Sequence, residues 1–173
     1  MEQWAELARS YPLMRGGGLF LAAVGLGLLI GALGGRRWLV PALIAGAGLG
    51  TVAMAAGGIT KWIFAGLDRP LWWHWAILGA AFLVEGYLVS QVVERVPDRS
   101  SREFWLWMLF VVGAHFLILF FSHGPICGLL GLLCMATAYL GLKVRSVPYR
   151  LVWGFDGILK IAAGGAMVAA SLA

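Results

Sequence analysis

Charge is what this chain has least of. Only 12% of its 173 residues are Asp, Glu, Lys or Arg, about half the share of an average soluble domain. Hydrophobic residues make up 61%, and the mean hydropathy is +0.88. That balance excludes an ordinary soluble domain, a disordered tail and a coiled coil, and leaves a polytopic membrane protein. Histidine is scarce too. His74, His115 and His123 are expected at different depths, which argues against a multi-histidine metal site. Haem ligation by His115 with His74 or His123 has no stronger footing, and neither metal nor cofactor is expected. The two cysteines, Cys127 and Cys134, lie seven apart in one apolar segment. A helix separates such residues by about 10 Å, beyond disulfide reach, so they read as small buried hydrophobes. No serine stands with a histidine and a carboxylate in a nucleophilic arrangement, and no glycine run has the context of a phosphate loop. A basic leader is also missing. Glu2 and Glu6 precede the first basic residue, so the first apolar segment is expected to stay in the mature protein.

What is present is a succession of apolar runs. A bilayer-spanning helix needs roughly 20 residues. Runs of that order occupy about 13–34, 37–60, 71–93, 103–121, 125–142 and 150–171. The stretch 103–142 is too long for one crossing, since 40 residues rise about 60 Å, so Gly124-Pro125 is read as a turn between two spans. The expected fold is an all-α membrane protein: a compact bundle of six transmembrane helices with short loops, forming a single domain over 1–173. Residues 2–11, EQWAELARSY, place Trp4, Leu7, Ala8 and Tyr11 on one side at helical spacing. They suit a short interfacial helix, with a frayed polar terminus as the alternative. Trp38, Trp62, Trp72, Trp73, Trp75, Trp105, Trp107 and Trp153 fall near span ends, where indole meets both lipid and polar headgroups.

The basic residues set an orientation. Arg9, Arg15, Lys61 and Arg69 lie on one side. Arg36, Arg37, Arg95, Arg99, Arg102, Lys143, Arg145 and Arg150 lie on the other. Four against eight puts the second group in the cytoplasm and both termini outside, in a bacterial plasma (inner) membrane. Nucleic acid is not an expected partner, because the positive charge sits in short loops between spans. Membrane lipids are the expected surroundings. Glycine is abundant at 25 residues, and Gly-rich spans 1, 2 and 6 are expected to pack closely, within the bundle or across a homo-oligomer.

Ionisable residues inside hydrocarbon each need a reason. Glu85 lies roughly 21 Å into span 3, His115 roughly 18 Å into span 4 and Lys160 roughly 15 Å into span 6. Asp156 precedes Lys160 by one turn on the same face. Their depths allow a buried cluster of Glu85, His115, Asp156 and Lys160, serving as a brace or as a proton relay. Tyr87, Gln91, Thr137 and Tyr139 are candidates to line a cavity beside it, or to cross-link the helices. A second polar group, His74, Lys61, Asp68, Arg69, Ser122 and His123, is expected at outward span ends.

Three functions remain open from the sequence. The first is proton-coupled transport or permeation of a small solute. No repeat links 13–94 to 103–171, which weakens an inverted-repeat version of it. The second is an intramembrane enzyme for a lipid or isoprenoid-like substrate, with Glu85 or Asp156 as the acid and His115 as its partner. The third is a non-catalytic accessory or scaffolding protein. A solvent-continuous vestibule favours the first, an apolar cavity headed by a carboxyl the second, and a sealed, fully paired cluster the third.

Overall fold

The computed structural model describes residues 2–173. The side chains of residues 2–5, Arg36 and Gly57 lie outside the described set, and so do the expectations placed on Trp4, Glu2 and Arg36. Among the described residues the chain is helical, with no strand. In order come α1 (Glu2–Ser10), α2 (Met14–Gly34), α3 (Arg36–Ala55), α4 (Gly57–Ile63), α5 (Trp72–Arg95), α6 (Arg102–His123), α7 (Pro125–Lys143) and α8 (Tyr149–Ala170). Six of these, α2, α3, α5, α6, α7 and α8, are long and apolar enough to cross a membrane. The protein is a compact six-helix membrane bundle. Lipid provides no hydrogen-bond partners for backbone, so each crossing must satisfy its own N–H and C=O groups, and helices do so.

Packing follows a definite order. α3 lies against α2, α2 against α8, α8 against α7, α7 against α6 and α6 against α5. Two of the links are single residues. Gly35 and Gly124 both adopt φ +92°, and each joins two helices that pack side by side. That conformation is closed to side-chain-bearing residues, so glycine is needed at both points. Pro125 then occupies the first turn of α7, where its missing N–H costs nothing. At the start of the chain, α1 is held by Leu7, Ala8 and Tyr11. Ala8 is buried, while Leu7 and Tyr11 pack on the core around Met14 and Phe116.

The second span departs from its expected extent of 37–60. Ala56 is extended, ending α3 and starting the short α4. Gly57-Gly58 disfavours a continuous helix. The Thr60 hydroxyl donates to the carbonyls of Met54 and Ala56, supplying a partner at the break. A second departure concerns Trp153. It keeps its place near the start of α8 but turns fully inward, packed edge-on against Trp105 at 5.4 Å, and its Nε1–H has no acceptor among the described residues.

Glycine brings α2 onto α8. A Cβ at Gly25 would stand 2.6 Å from the Gly157 carbonyl oxygen, and one at Gly157 would stand 2.7 Å from that of Gly25. Gly18 and Gly164 repeat the arrangement further along the helices, and a Cβ on Gly46 of α3 would stand 2.6 Å from the Ala23 carbonyl oxygen of α2. Close backbone approach is how helices gain dispersion energy where water supplies no hydrophobic drive.

Three arginines close the helix ends. Arg15 donates to the Trp62 and Ala65 carbonyls near the end of α4, and to Ser171 beyond α8. Arg102 reaches the carbonyls of Gly141, Val144, Arg145 and Val147 around the end of α7. Arg150 reaches Ala32 and Leu33 at the end of α2. The last carbonyls of a helix lack partners and carry the negative end of its dipole, so a guanidinium satisfies both needs. Arg15, counted above as a loop charge, is in fact only 4% exposed.

The α2–α8 contact yields the first prediction. Gly25→Leu forces the helices apart and lowers stability by about 1–3 kcal/mol. Gly165→Ala, at a position with nothing within 4 Å, leaves it unchanged or slightly raised. Thermal unfolding in detergent separates the two.

Candidate functional site

The seams between helices decide which polar side chains turn inward. On α5 the inner positions run through Leu78, Ala81, Leu88 and Val92, and Glu85 falls in the same three-and-four spacing. On α6 the run is Phe104, Met108 and Val111, and His115 continues it. On α8 Trp153, Met167 and Ala170 are buried in core clusters, and Asp156 and Lys160 lie on that buried stripe. Residues at such spacing share a helix face. Each ionisable residue therefore replaces an apolar residue in an otherwise regular seam.

The geometry divides the cluster into two pairs. Lys160 Nζ donates to Asp156 Oδ2 across one turn of α8, and both side chains are 1% exposed. Cys134 Sγ of α7 is 3.7 Å from the same Nζ, and the Phe116 ring centroid of α6 is 5.4 Å from it. Thiol and aromatic face both tolerate a cation, and they complete its surroundings. Asp156 Oδ1 has no hydrogen-bond partner among the described residues. The second pair bridges α5 and α6. His115 Nδ1 lies 3.7 Å from Glu85 Oε2. That is an ion-pair distance and too long for a hydrogen bond, and Nδ1 makes no hydrogen bond among the described residues, although the Val112 backbone one turn back lies within electrostatic reach of the ring. The imidazole lies between Phe116, at 4.4 Å, and Phe82, at 6.5 Å. Lys160 is within electrostatic reach of both Glu85 and His115. Glu85 differs from the other three in access, with 23% of its side chain exposed.

The remaining candidates lie elsewhere. Tyr87 is 64% exposed and turns out of the bundle. Gln91 accepts from Arg95 one turn on, close to the end of α5. The Thr137 hydroxyl donates to the Leu133 carbonyl of its own helix. Tyr139 is exposed, with Lys143 Nζ 5.4 Å over its ring. At the end of the bundle that carries Arg15, His74 and His123 are both buried. His74 Nδ1 accepts the Leu71 N–H at 3.0 Å, and His123 Nδ1 is 2.8 Å from Ser122 Oγ. These roles are local. Among the described residues no group of three or more His, Cys, Asp or Glu could hold a metal ion.

Sequence reasoning did not place Cys134 and Phe116 around the cation. Nothing in the sequence marks a cysteine or phenylalanine as the neighbour of a lysine on another helix. The carbonyl-capping arginines were also missed, although each lies within a few residues of a helix terminus, and that position is a usable signal.

Pairing makes the cost of each substitution unequal. Asp156→Leu strands the Lys160 charge in the interior and costs about 3–5 kcal/mol. Adding Lys160→Met to that variant removes the stranded charge and recovers most of the loss, because an apolar pair of similar volume can replace a buried ion pair. Unfolding of the two single variants and the double variant measures the coupling.

The sequence profile of a family of unknown function, DUF6609, matches residues 5–172. No curated protein and no solved structure matches the chain.

Proposed function

We propose that this chain, which belongs to the DUF6609 family, binds and releases protons within the membrane and couples that exchange to the movement of a small solute. The observation that carries the reading is the Glu85–His115 pair. It lies roughly 20 Å along both α5 and α6 from their starts. It is unlocked by any short hydrogen bond, and it is partly open on its α5 side. A carboxylate and an imidazole in contact can hold one proton between them, as an ion pair or as two neutral groups. Those two states differ in charge separation, so in a low-dielectric interior they favour different surroundings. Lys160 and Asp156 are the fixed part of the site. Their sealed pair provides a permanent dipole next to the exchangeable one.

One observation favours the accessory reading instead. The Lys160–Asp156 pair is enclosed by protein, as a purely structural brace is. The incomplete pairing of His115 Nδ1, on the pair that bridges two helices, supports the proton-handling reading over it. The enzymatic reading draws on the same four residues and has no observation of its own in its favour.

Orientation belongs to the same proposal. With Arg15, Arg102 and Arg150 committed to helix carbonyls, the loop cations become three against six, and the bias keeps its sign. Both termini are then outside. A cysteine at Ser100 is expected to react with a permeant but not an impermeant thiol reagent in intact cells. A cysteine at Ala173 reacts with both, and the reverse pattern inverts the topology. A homo-oligomer through the Gly-rich helices would use surfaces such as Gly48 of α3 and Gly165 of α8, where a Cβ meets nothing within 4 Å.

The functional test is proton movement into liposomes holding a pH-sensitive dye, driven by a potassium diffusion potential. The wild-type protein should acidify the lumen, and Glu85→Gln should reduce the rate about a hundredfold or more, the usual scale for losing a proton-transfer group. Equal rates in the two proteins contradict the proposal.

A further inference from the structure

A cavity of about 350 Å³ opens at the end of the bundle that carries Arg15, away from the Glu85–His115 pair. Arg9, Arg15, Trp62, Ala65, Leu67 and Leu172 are among the residues lining it. It lies where α2 begins and where α4 and α8 end. In a spanning bundle this is the level of the lipid headgroups, where tryptophan also settles.

Arg15 is buried, and its guanidinium lies 5.1 Å from the centre of the Trp62 ring. A guanidinium has five N–H donors. Four hydrogen bonds are made: from Nε to Ser171 Oγ, from Nη1 to the Trp62 and Ala65 carbonyls, and from Nη2 to the Ser171 carbonyl. One Nη2 donor remains. Among the described residues all four acceptors are neutral, and no carboxylate lies within ion-pair distance of Arg15. The helix ends it caps return only a partial charge, about half a unit for a full-length helix and less for one of seven residues. The acidic side chains nearby, Glu6 and Asp68, line a neighbouring cavity. Arg9 borders both cavities, whereas Arg15 lines only this one, whose other walls are largely apolar and include no Asp or Glu side chain.

We infer that this cavity binds the headgroup of an anionic membrane phospholipid. The phosphate oxygens accept the remaining Arg15 donor and supply the missing counter-charge, a charge-assisted contact that guanidinium geometry suits. The acyl chains lie along Trp62, Leu67 and Leu172. Apolar walls at headgroup depth favour a lipid over a free anion, which gains nothing from them. The site is independent of the proton-handling pair and stands or falls separately.

Thermal unfolding of delipidated protein in a neutral detergent tests it, with phosphatidylglycerol, phosphatidylcholine or inorganic phosphate added. Phosphatidylglycerol should raise Tm by about 5 °C at saturating lipid. The zwitterionic lipid and inorganic phosphate should raise it by no more than about 1 °C. Ala65→Trp fills the cavity from its wall while keeping the backbone acceptors of Arg15. In that variant the phosphatidylglycerol shift, taken against its own lipid-free Tm, should be lost. Leu172→Trp provides the same readout from the opposite wall should Ala65→Trp not fold. Equal shifts from the two lipids, a phosphate shift as large as that of phosphatidylglycerol, or a full lipid shift in the filled variants each overturn the inference.

Discussion

A lysine ammonium sealed among helices in a bilayer sets the terms for everything near it. Lys160 is 1% exposed, and such a charge is stable only with a counter-charge in contact. Asp156 provides it from one turn away, so the pair is local and forms whenever α8 forms. The rest of the surroundings is long-range: Cys134 from α7 and the Phe116 ring from α6. The cation therefore works as a register mark. α7 and α6 must dock on α8 with these side chains at its level, or the charge is left against bare hydrocarbon. Once α6 is placed, His115 beside Phe116 is placed too, and Glu85 on α5 follows from the seam it shares with His115.

Under the proposed function, the two pairs divide stability from exchange. Asp156 and Lys160 share a helix and are enclosed, so the packing around them resists separation. Glu85 and His115 are on different helices, and α5 packs on the rest of the bundle chiefly through α6. A small displacement of α5 alters their distance without disturbing the α2–α8 contact. That contact is rigid for its own reason, since glycines at 18, 25, 157 and 164 leave no side chains to repack. A stiff half and a looser edge, with ionisable groups at the junction, is an arrangement suited to moving a proton.

Much of this was legible in the sequence. The six crossings follow from hydropathy, because lipid imposes a length and an apolar composition that few other constraints mimic. The i,i+4 relation of Asp156 and Lys160 is legible for a similar reason, since helix geometry alone puts them together. The inward face of Glu85 could be anticipated from the cost of turning a carboxylate to lipid. Relations between helices were less accessible. Tyr87 and Tyr139 face outward because their seams are set by partners that the sequence does not name. The break at Ala56 depends on a Gly pair competing with a long apolar run, and hydropathy does not weigh backbone entropy. Trp153 lies near its span end as expected but turns inward onto Trp105, leaving its indole N–H without the polar partner an interface usually supplies. Arg15 was hidden by a rule that assigns basic residues near span ends to water, whereas helix carbonyls can hold them equally well.

The division of roles between the two carboxylates can be measured directly by infrared difference spectroscopy of the protein in lipid, recorded between acidic and basic pH. Protonated carboxyl groups absorb apart from carboxylates, so each exchanging group gives its own band. The account predicts a band from a buried carboxyl that disappears in Glu85→Gln, shifts when His115 is replaced by glutamine, and persists in Asp156→Asn. A band that survives Glu85→Gln and vanishes in Asp156→Asn would assign the exchange to the sealed pair and contradict it.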